Sequence, residues 1–428
     1  MAEIPKSANS RDLHQFKATP KRGGFFISGF SQRVFMNRLK ILLRDFRSIV
    51  KQGRVVNFNI GTTAHGPGVA AMLEKYLPEC DICIWASAPL SEPLARMMKR
   101  RFPNIPIVTG ALDGSSPAVE KAARWCDLLL IGSGTRIAVP DDVKEFVRQT
   151  GKPFGAAGLG YDPKNLELIQ QSAFMFFRDS LALNQARHDH MAVPTGFVPD
   201  GAFAFDASDD TGAQAFMERH GLESGRFVCC LPRYRHTPLW EFVPGAHYPE
   251  DRIAHNRQML HQDMMPLVEA VCHLVRQLHW RVLLSPETEP AIRLSQNDLA
   301  PMFPDDVRPY VAIPENFWEA NLALGVYKES CGLFGTEMHS QVMAIGNGIP
   351  AIVCRTAEFG TKSQMWNDIG LGEWLFDFDS AIDRNRFSDT VLKMFTEREH
   401  ALQPIKRAQK LIQEHFTVFA DFMRQRFA

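Results

Sequence analysis

Polar and Gly-rich residues fill positions 1 to about 30, and the first sustained apolar periodicity comes at Ser31–Val50. There Val34, Phe35, Leu39, Leu42, Leu43, Phe46 and Ile49 recur at helical spacing, with Arg33, Arg38, Lys40, Arg44 and Arg47 between them. The spacing predicts an amphipathic helix with a basic face. Such a helix either packs on its own domain or rests on an anionic membrane surface, so residues 31–50 are also a candidate peripheral membrane contact.

A different grammar follows, in which a short apolar or β-branched run leads through a Gly-rich turn into a helical stretch. RVVNFNI runs into GTTAHGPG and the helix VAAMLEKYL, and CDICIWASA, IPIVTG, CDLLLIGSG, KPFGAAGLG and AFMFFRD continue the series. Runs with no polar face, alternating with helices, predict a parallel sheet covered on both sides. After the polar break DASDDTGAQ a second series begins, with strands predicted at RFVCCLPRY, WRVLLS, YVAI, CGLFGT and IPAIVC. The long helix around Leu267–Leu278 precedes WRVLLS as a crossover should.

The expected fold class is therefore α/β, with two open parallel sheets in tandem facing across a cleft. An N-terminal arm and helix would occupy 1–50, a first domain 51–206, a second domain 207–380, and C-terminal helices 381–428 that could return across the first domain. A chain of 428 residues, 45% of them hydrophobic, is long enough for two such cores.

Lys plus Arg and Asp plus Glu both number 48, so no overall field draws in nucleic acid, and attraction must come from local patches. The eight cysteines are irregularly spaced, which fits reduced thiols rather than a disulfide framework. Cys80 and Cys83 form the one C-x-x-C, and no second ligand pair follows to complete a zinc site, so no metal is expected. The N-terminus lacks the apolar core of a signal peptide and no apolar run approaches a membrane span, which places the protein in the cytoplasm.

Ligands of open parallel sheets bind at the carboxyl ends of the strands, so the chemistry is sought in the strand-to-helix loops. GTTAHGPG (Gly61–Gly68) could hold an anion on its backbone N–H groups, although it matches neither the dinucleotide nor the phosphate-loop signature. His65 and Gly66 would face the cleft there. Arg136 after IGSG, Arg178 in FFRDS, and Arg233 with Arg235 in LPRYR all closely follow strands. Several cations at predicted sheet edges suggest an anionic ligand.

The densest stretch runs from Gly332 to Trp374. Its strand GLFGT gives way to a helix near Met338, which puts His339 and Ser340 in a first turn whose free N–H groups favour an anion. Arg355 and Lys362 return to the same edge after the next strand.

In order and spacing these elements resemble the polysaccharide pyruvyl transferase family. The corresponding parts are GTTAHGPG, IGSG, Arg178-Asp179-Ser180, Asp200-Gly201-Ala202-Phe203, His339-Ser340, Gly348-Ile349-Pro350, Lys362 and Asp368-Ile369-Gly370-Leu371, spanning about Val55 to Trp374. The resemblance implies the two-Rossmann arrangement called GT-B. It also implies transfer of pyruvate from phosphoenolpyruvate to two hydroxyls of a polysaccharide or lipid-linked glycan as a cyclic ketal, with no further cofactor.

By the same resemblance His339 would be the acid that protonates the methylene carbon. Arg178, Arg233, Arg235, Ser340, Arg355 and Lys362 would bind the donor, and His65, Gly66 and Arg136 the sugar acceptor. One departure stands out, because the family has an Arg two residues before the His and this chain has Glu337. A carboxylate about 4 Å from a bound anion repels it by roughly 4 kcal/mol at an effective dielectric near 20. Either Glu337 is turned away or paired, with Arg355 a plausible partner, or the donor differs, or the cleft is repurposed without catalysis.

A glycosyltransferase of the same architecture using a nucleotide sugar is the alternative. Glu329 and Glu337 show the E-x7-E spacing of many such enzymes, but out of register with the following G-x-P, where Met343 stands instead.

Overall fold

Fifteen strands and the helices between them account for most of the residues described in the computed structural model, which are 38–46, 49–51, 54–242 and 248–427. The first sheet has seven strands in the order β5 (Ile107–Thr109), β4 (Asp81–Ala86), β1 (Lys40–Arg44), β6 (Leu128–Ile131), β7 (Phe154–Leu159), β8 (Phe174–Phe177), β9 (Thr195–Phe197). The second has six: β12 (Val311–Ala312), β11 (Arg281–Leu284), β10 (Phe227–Leu231), β13 (Leu333–Gly335), β14 (Ala351–Arg355), β15 (Leu375–Asp377). Every pairing in both sheets is parallel. Two strands outside them, β2 (Ile49–Lys51) and β3 (Arg54–Val56), form an antiparallel hairpin.

The expected pair of parallel sheets is present, but the described residues of the stretch 31–50, which are 38–46 and 49–50, form no helix. Lys40–Arg44 is a strand, paired to β4 on one side and β6 on the other, and residues 31–37 lie outside the described region. Ile41, Leu42 and Leu43 are fully buried. A strand covered on both faces needs a continuous apolar run, and ILL supplies one. The helical spacing of Leu39, Leu42, Leu43 and Phe46 is the same apolar run read with the wrong period.

Arg44 does not lie on a solvated basic face either. Its guanidinium sits 4.8 Å over the Trp85 ring and bonds Asp142 at 2.6 Å. The first sheet thus starts at residue 40, ahead of the boundary expected at 51.

A second revision concerns GTTAHGPG, which is no turn. The helix Ile60–Tyr76 already contains it, capped by Asn59, whose side chain accepts from the Gly61 and Thr62 N–H groups. RVVNFNI contributes the hairpin strand β3, the bridge residue Asn59, which pairs with Thr288 of the other half, and the first helical residue Ile60.

Both sheets reverse their order once, between β1 and β6 in the first and between β10 and β13 in the second. Such switch points are where loops on either side diverge and leave room for a ligand. The halves meet there: Ile60 N–H donates to Glu287 O at 3.0 Å and Glu289 N–H to Phe58 O at 2.9 Å.

One apolar core runs through both halves by way of Ala202, Phe203, Val342 and Met343. The C-terminal helix Arg398–Phe427 returns across the first sheet, with Phe419 5.1 Å from Phe176 and Phe422 5.3 Å from Phe174. No described helix is long and apolar enough to cross a membrane. All eight cysteines are free and buried.

Candidate active site

His339 is the first residue of the helix His339–Gly346, which starts four residues after β13 at the second switch point. Its Nδ1 lies 3.1 Å from Oε1 of Glu287, the third residue after β11. The other oxygen of Glu287 accepts the Ser340 backbone N–H at 2.7 Å. The helix start that was expected to receive a substrate anion is thus already occupied by the protein's own carboxylate. Burial works against that charge, yet the hydrogen bonds from His339 and Ser340 hold the Glu287 carboxyl down at about 2.

The Ser340 hydroxyl points inward to Tyr327 OH at 3.1 Å, and Tyr327 OH continues to Ser285 at 2.8 Å. Ser340 is therefore a buried link in a polar chain and not a donor contact.

Facing His339 from the first half are His65, Asp200 and Arg178. The His65 and His339 rings meet edge to face with centroids 4.9 Å apart. His65 Nε2 is 3.4 Å from Asp200 Oδ1, and Arg178 bonds Asp200 Oδ2 at 2.9 Å. Burial opposes the Asp200 charge, but His65 and Arg178 outweigh it and keep the carboxyl well below the usual range.

Gly61 makes this approach possible. A Cβ there would fall 2.4 Å from the His339 ring, so the glycine expected in a phosphate-holding turn instead admits an imidazole from the other half. Gly66 looks away from the cluster; a Cβ on it would meet the Phe46 ring at 2.7 Å.

The cations expected around the site divide into two groups. Arg233, just after β10, lies 3.6 Å from Glu337 and 5.0 Å over the Phe359 ring, and its Nη1 is buried without a hydrogen-bond partner. Lys362 shares that ring at 4.3 Å. Burial, reinforced by Arg233, lowers the Lys362 ammonium from its ordinary value, and burial together with Glu287 raises the Glu337 carboxyl.

Glu337 is thus turned inward beside Arg233 and Thr288, not paired with Arg355. Arg355 bonds Asp377 at 2.6 Å across the β14–β15 pair. Arg235 is held by Asp263 and Asp379, with Glu358 3.5 Å from its Nη1, and Arg136 is exposed near Asp162. None of these three joins the cluster.

Residues that sequence reasoning noted only as motif members turn out to staple the halves. Asp368 accepts both the backbone N–H and the hydroxyl of Ser180 at 2.7 Å, and Thr361 donates to Asp179 at 3.2 Å. Glu287 was missed altogether. Its signal was available, since it is the first acidic residue after the buried run WRVLLS.

No family model matches the chain, and no curated protein sequence matches it either. Solved structures do. The putative UDP-N-acetylglucosamine 2-epimerase from Listeria monocytogenes superposes with a TM-score of 0.53 at 14% identity, over 87% of this chain and 91% of its own. UDP-GlcNAc 2-epimerase from Neisseria meningitidis bound to UDP-GlcNAc gives 0.52 at 10% identity, over 90% and 100%. The S. aureus MnaA–UDP structure gives 0.52 at 11%, over 90% and 98%. At such identities the likeness is one of fold, and it is the GT-B-like arrangement of two facing sheets.

Proposed function

We propose that this chain is an enzyme acting on a sugar carried by a nucleotide, transferring or rearranging the sugar between the two halves of the fold. The observation that carries the reading is the convergence of Arg178, Asp200 and His65 from one half on His339, Glu287, Arg233 and Lys362 from the other.

Arg233 and Arg178 each keep a buried guanidinium nitrogen without a partner, and with Lys362 they offer donors that a diphosphate would take up. The paired imidazoles lie beside them, where the sugar would react. UDP-GlcNAc in the Neisseria meningitidis structure and UDP in the S. aureus one are ligands of proteins with this fold, which supports the choice of donor class.

Pyruvyl transfer from phosphoenolpyruvate to a glycan acceptor is the second reading. It is favoured by the way Arg178, Asp200, His339 and Asp368, scattered in the sequence, are gathered at one junction. Glu337 weighs against it, because its carboxyl group takes the place beside Arg233 where the small anion would be held.

Calorimetry with UDP-GlcNAc, UDP and phosphoenolpyruvate separates the two. The nucleotide ligands are expected to bind, with affinity falling roughly 10- to 100-fold in Arg233→Ala, the equivalent of one charge-assisted hydrogen bond of about 1.5–3 kcal/mol. Binding of phosphoenolpyruvate alone would transfer the assignment to the second reading. Binding of none of them would leave a repurposed scaffold.

A further inference from the structure

Nε2 of His65 and Nε2 of His339 are both buried and without a hydrogen-bond partner, and a ring nitrogen of each residue lies within 4.8 Å of a carboxylate oxygen of Asp200. We infer that His65, Asp200 and His339 form a binding site for a divalent transition-metal ion, held between the two halves of the fold.

The first ground is the tautomer of His339. Its Nδ1 faces a carboxylate that also accepts the Ser340 N–H, so Nδ1 carries the proton and Nε2 presents a lone pair. A buried lone pair with no donor aimed at it is a cost that folding normally avoids. A cation removes that cost at His339, and at His65 it takes the place of the proton between Nε2 and Asp200.

The second ground is spacing. Metal–ligand bonds of about 2.0–2.1 Å at tetrahedral angles place ligand atoms roughly 3.3–3.4 Å apart. His65 Nε2 and Asp200 Oδ1 are 3.4 Å apart, and all three ligand atoms lie within 4.8 Å of one another. Closing the wider separations takes on the order of an ångström of side-chain movement.

The third ground is the supporting shell. Metal-bound imidazoles characteristically donate their other N–H to a carboxylate, and ligating carboxylates are themselves hydrogen-bonded. Glu287 stands behind His339 and Arg178 behind Asp200. Two nitrogens and one oxygen suit zinc, cobalt or iron(II) better than magnesium or calcium, which prefer all-oxygen shells. Three protein ligands leave coordination positions open to an oxygen of a bound substrate. The inference holds whichever donor the cleft accepts.

A second group, His236, His255 and Glu358, also brings three ligand atoms together but is half-exposed, and its His255 is already bonded to Glu358 at 2.8 Å. The test must silence it. In chelator-treated full-length His255→Ala, titration with Co2+ is expected to show one equivalent bound, with the visible absorption of a low-coordinate cobalt centre.

Adding His65→Ala should abolish that equivalent. Glu287→Gln should weaken it roughly 10- to 100-fold, as loss of a supporting carboxylate does. No bound equivalent in His255→Ala, or undiminished affinity in a folded His65→Ala/His255→Ala, overturns the inference. If the double variant does not fold, unchanged Co2+ affinity in Glu287→Gln/His255→Ala overturns it instead. Failure to bind any nucleotide sugar would remove the proposed function and leave this result standing.

Discussion

Arg233 and Arg235 are two residues apart on the same loop and meet opposite fates. Arg235 has Asp263 at 2.8 Å through both Nε and Nη2, Asp379 at 2.7 Å and Glu358 at 3.5 Å. Arg233 has a hydroxyl at 3.1 Å, a carboxylate at 3.6 Å, an aromatic face and one orphaned Nη1. A guanidinium has five N–H donors, and counting which are spent distinguishes an arginine that holds the fold from one that holds a ligand. Position after a strand does not distinguish them.

The largest effect should come from Arg235→Met. Three carboxylates would lose their shared cation, and breaking a buried pair costs roughly 3–5 kcal/mol. Urea unfolding is expected to register a loss of that size. Arg233→Met, assayed in the same way, should cost no more than about 1 kcal/mol, while weakening nucleotide binding in calorimetry roughly 10- to 100-fold. Equal stability losses in the two variants would erase the distinction.

Next comes Gly61→Ala. Its methyl would need the space taken by the His339 ring, at 2.4 Å, so the imidazole must move or the halves must part. Overpacking of this kind costs roughly 1–3 kcal/mol. The sharper readout is Co2+, whose affinity should drop in Gly61→Ala and stay unchanged in Gly151→Ala. At Gly151 a methyl meets nothing within 4 Å, although the positive φ of 66° there adds local strain. A similar cost, about 1–3 kcal/mol, is expected when Asp368→Ala leaves the Ser180 hydroxyl and backbone N–H without their acceptor.

Much of the architecture was legible because buried parallel strands are continuous apolar runs, and CDLLLI, RFVCCL and WRVLL are unambiguous. KILLR was misread because Arg and Lys flank it, and a run of three apolar residues suits either period. Short outer strands such as TGF and LFD carry too few residues to show a pattern. At the site, His339, Arg178, Arg233 and Lys362 were legible from their place after strands. Arg235 and Arg355 carried the same signal and proved structural, since their partners Asp263, Asp379 and Asp377 are set by tertiary contacts that local sequence does not express. The pairing of His65 with His339 was invisible for a related reason. It depends on Gly61, whose meaning appears only when the opposite half is in place.

The smallest effect concerns the acid side of stability and tests whether the Arg235 cluster is as saturated as its geometry suggests. Burial pushes the Glu358 carboxyl up, but Thr356, the backbone, His255 and Arg235 together hold it at about 2, below its ordinary 4.5. A carboxyl depressed on folding contributes stability that is fully present above the unfolded value and is lost as pH falls through the folded one. The window for Glu358 therefore runs from about 4.5 down to about 2. His255→Ala removes one hydrogen bond, so its acid-unfolding midpoint should move to higher pH. The pair is partly solvated, with His255 35% and Glu358 17% exposed, which limits the cost at neutral pH to about 0.2–1 kcal/mol. An unchanged acid midpoint would mean that Thr356, the backbone and Arg235 suffice to hold the charge of Glu358, and the cluster would then have no cooperating imidazole.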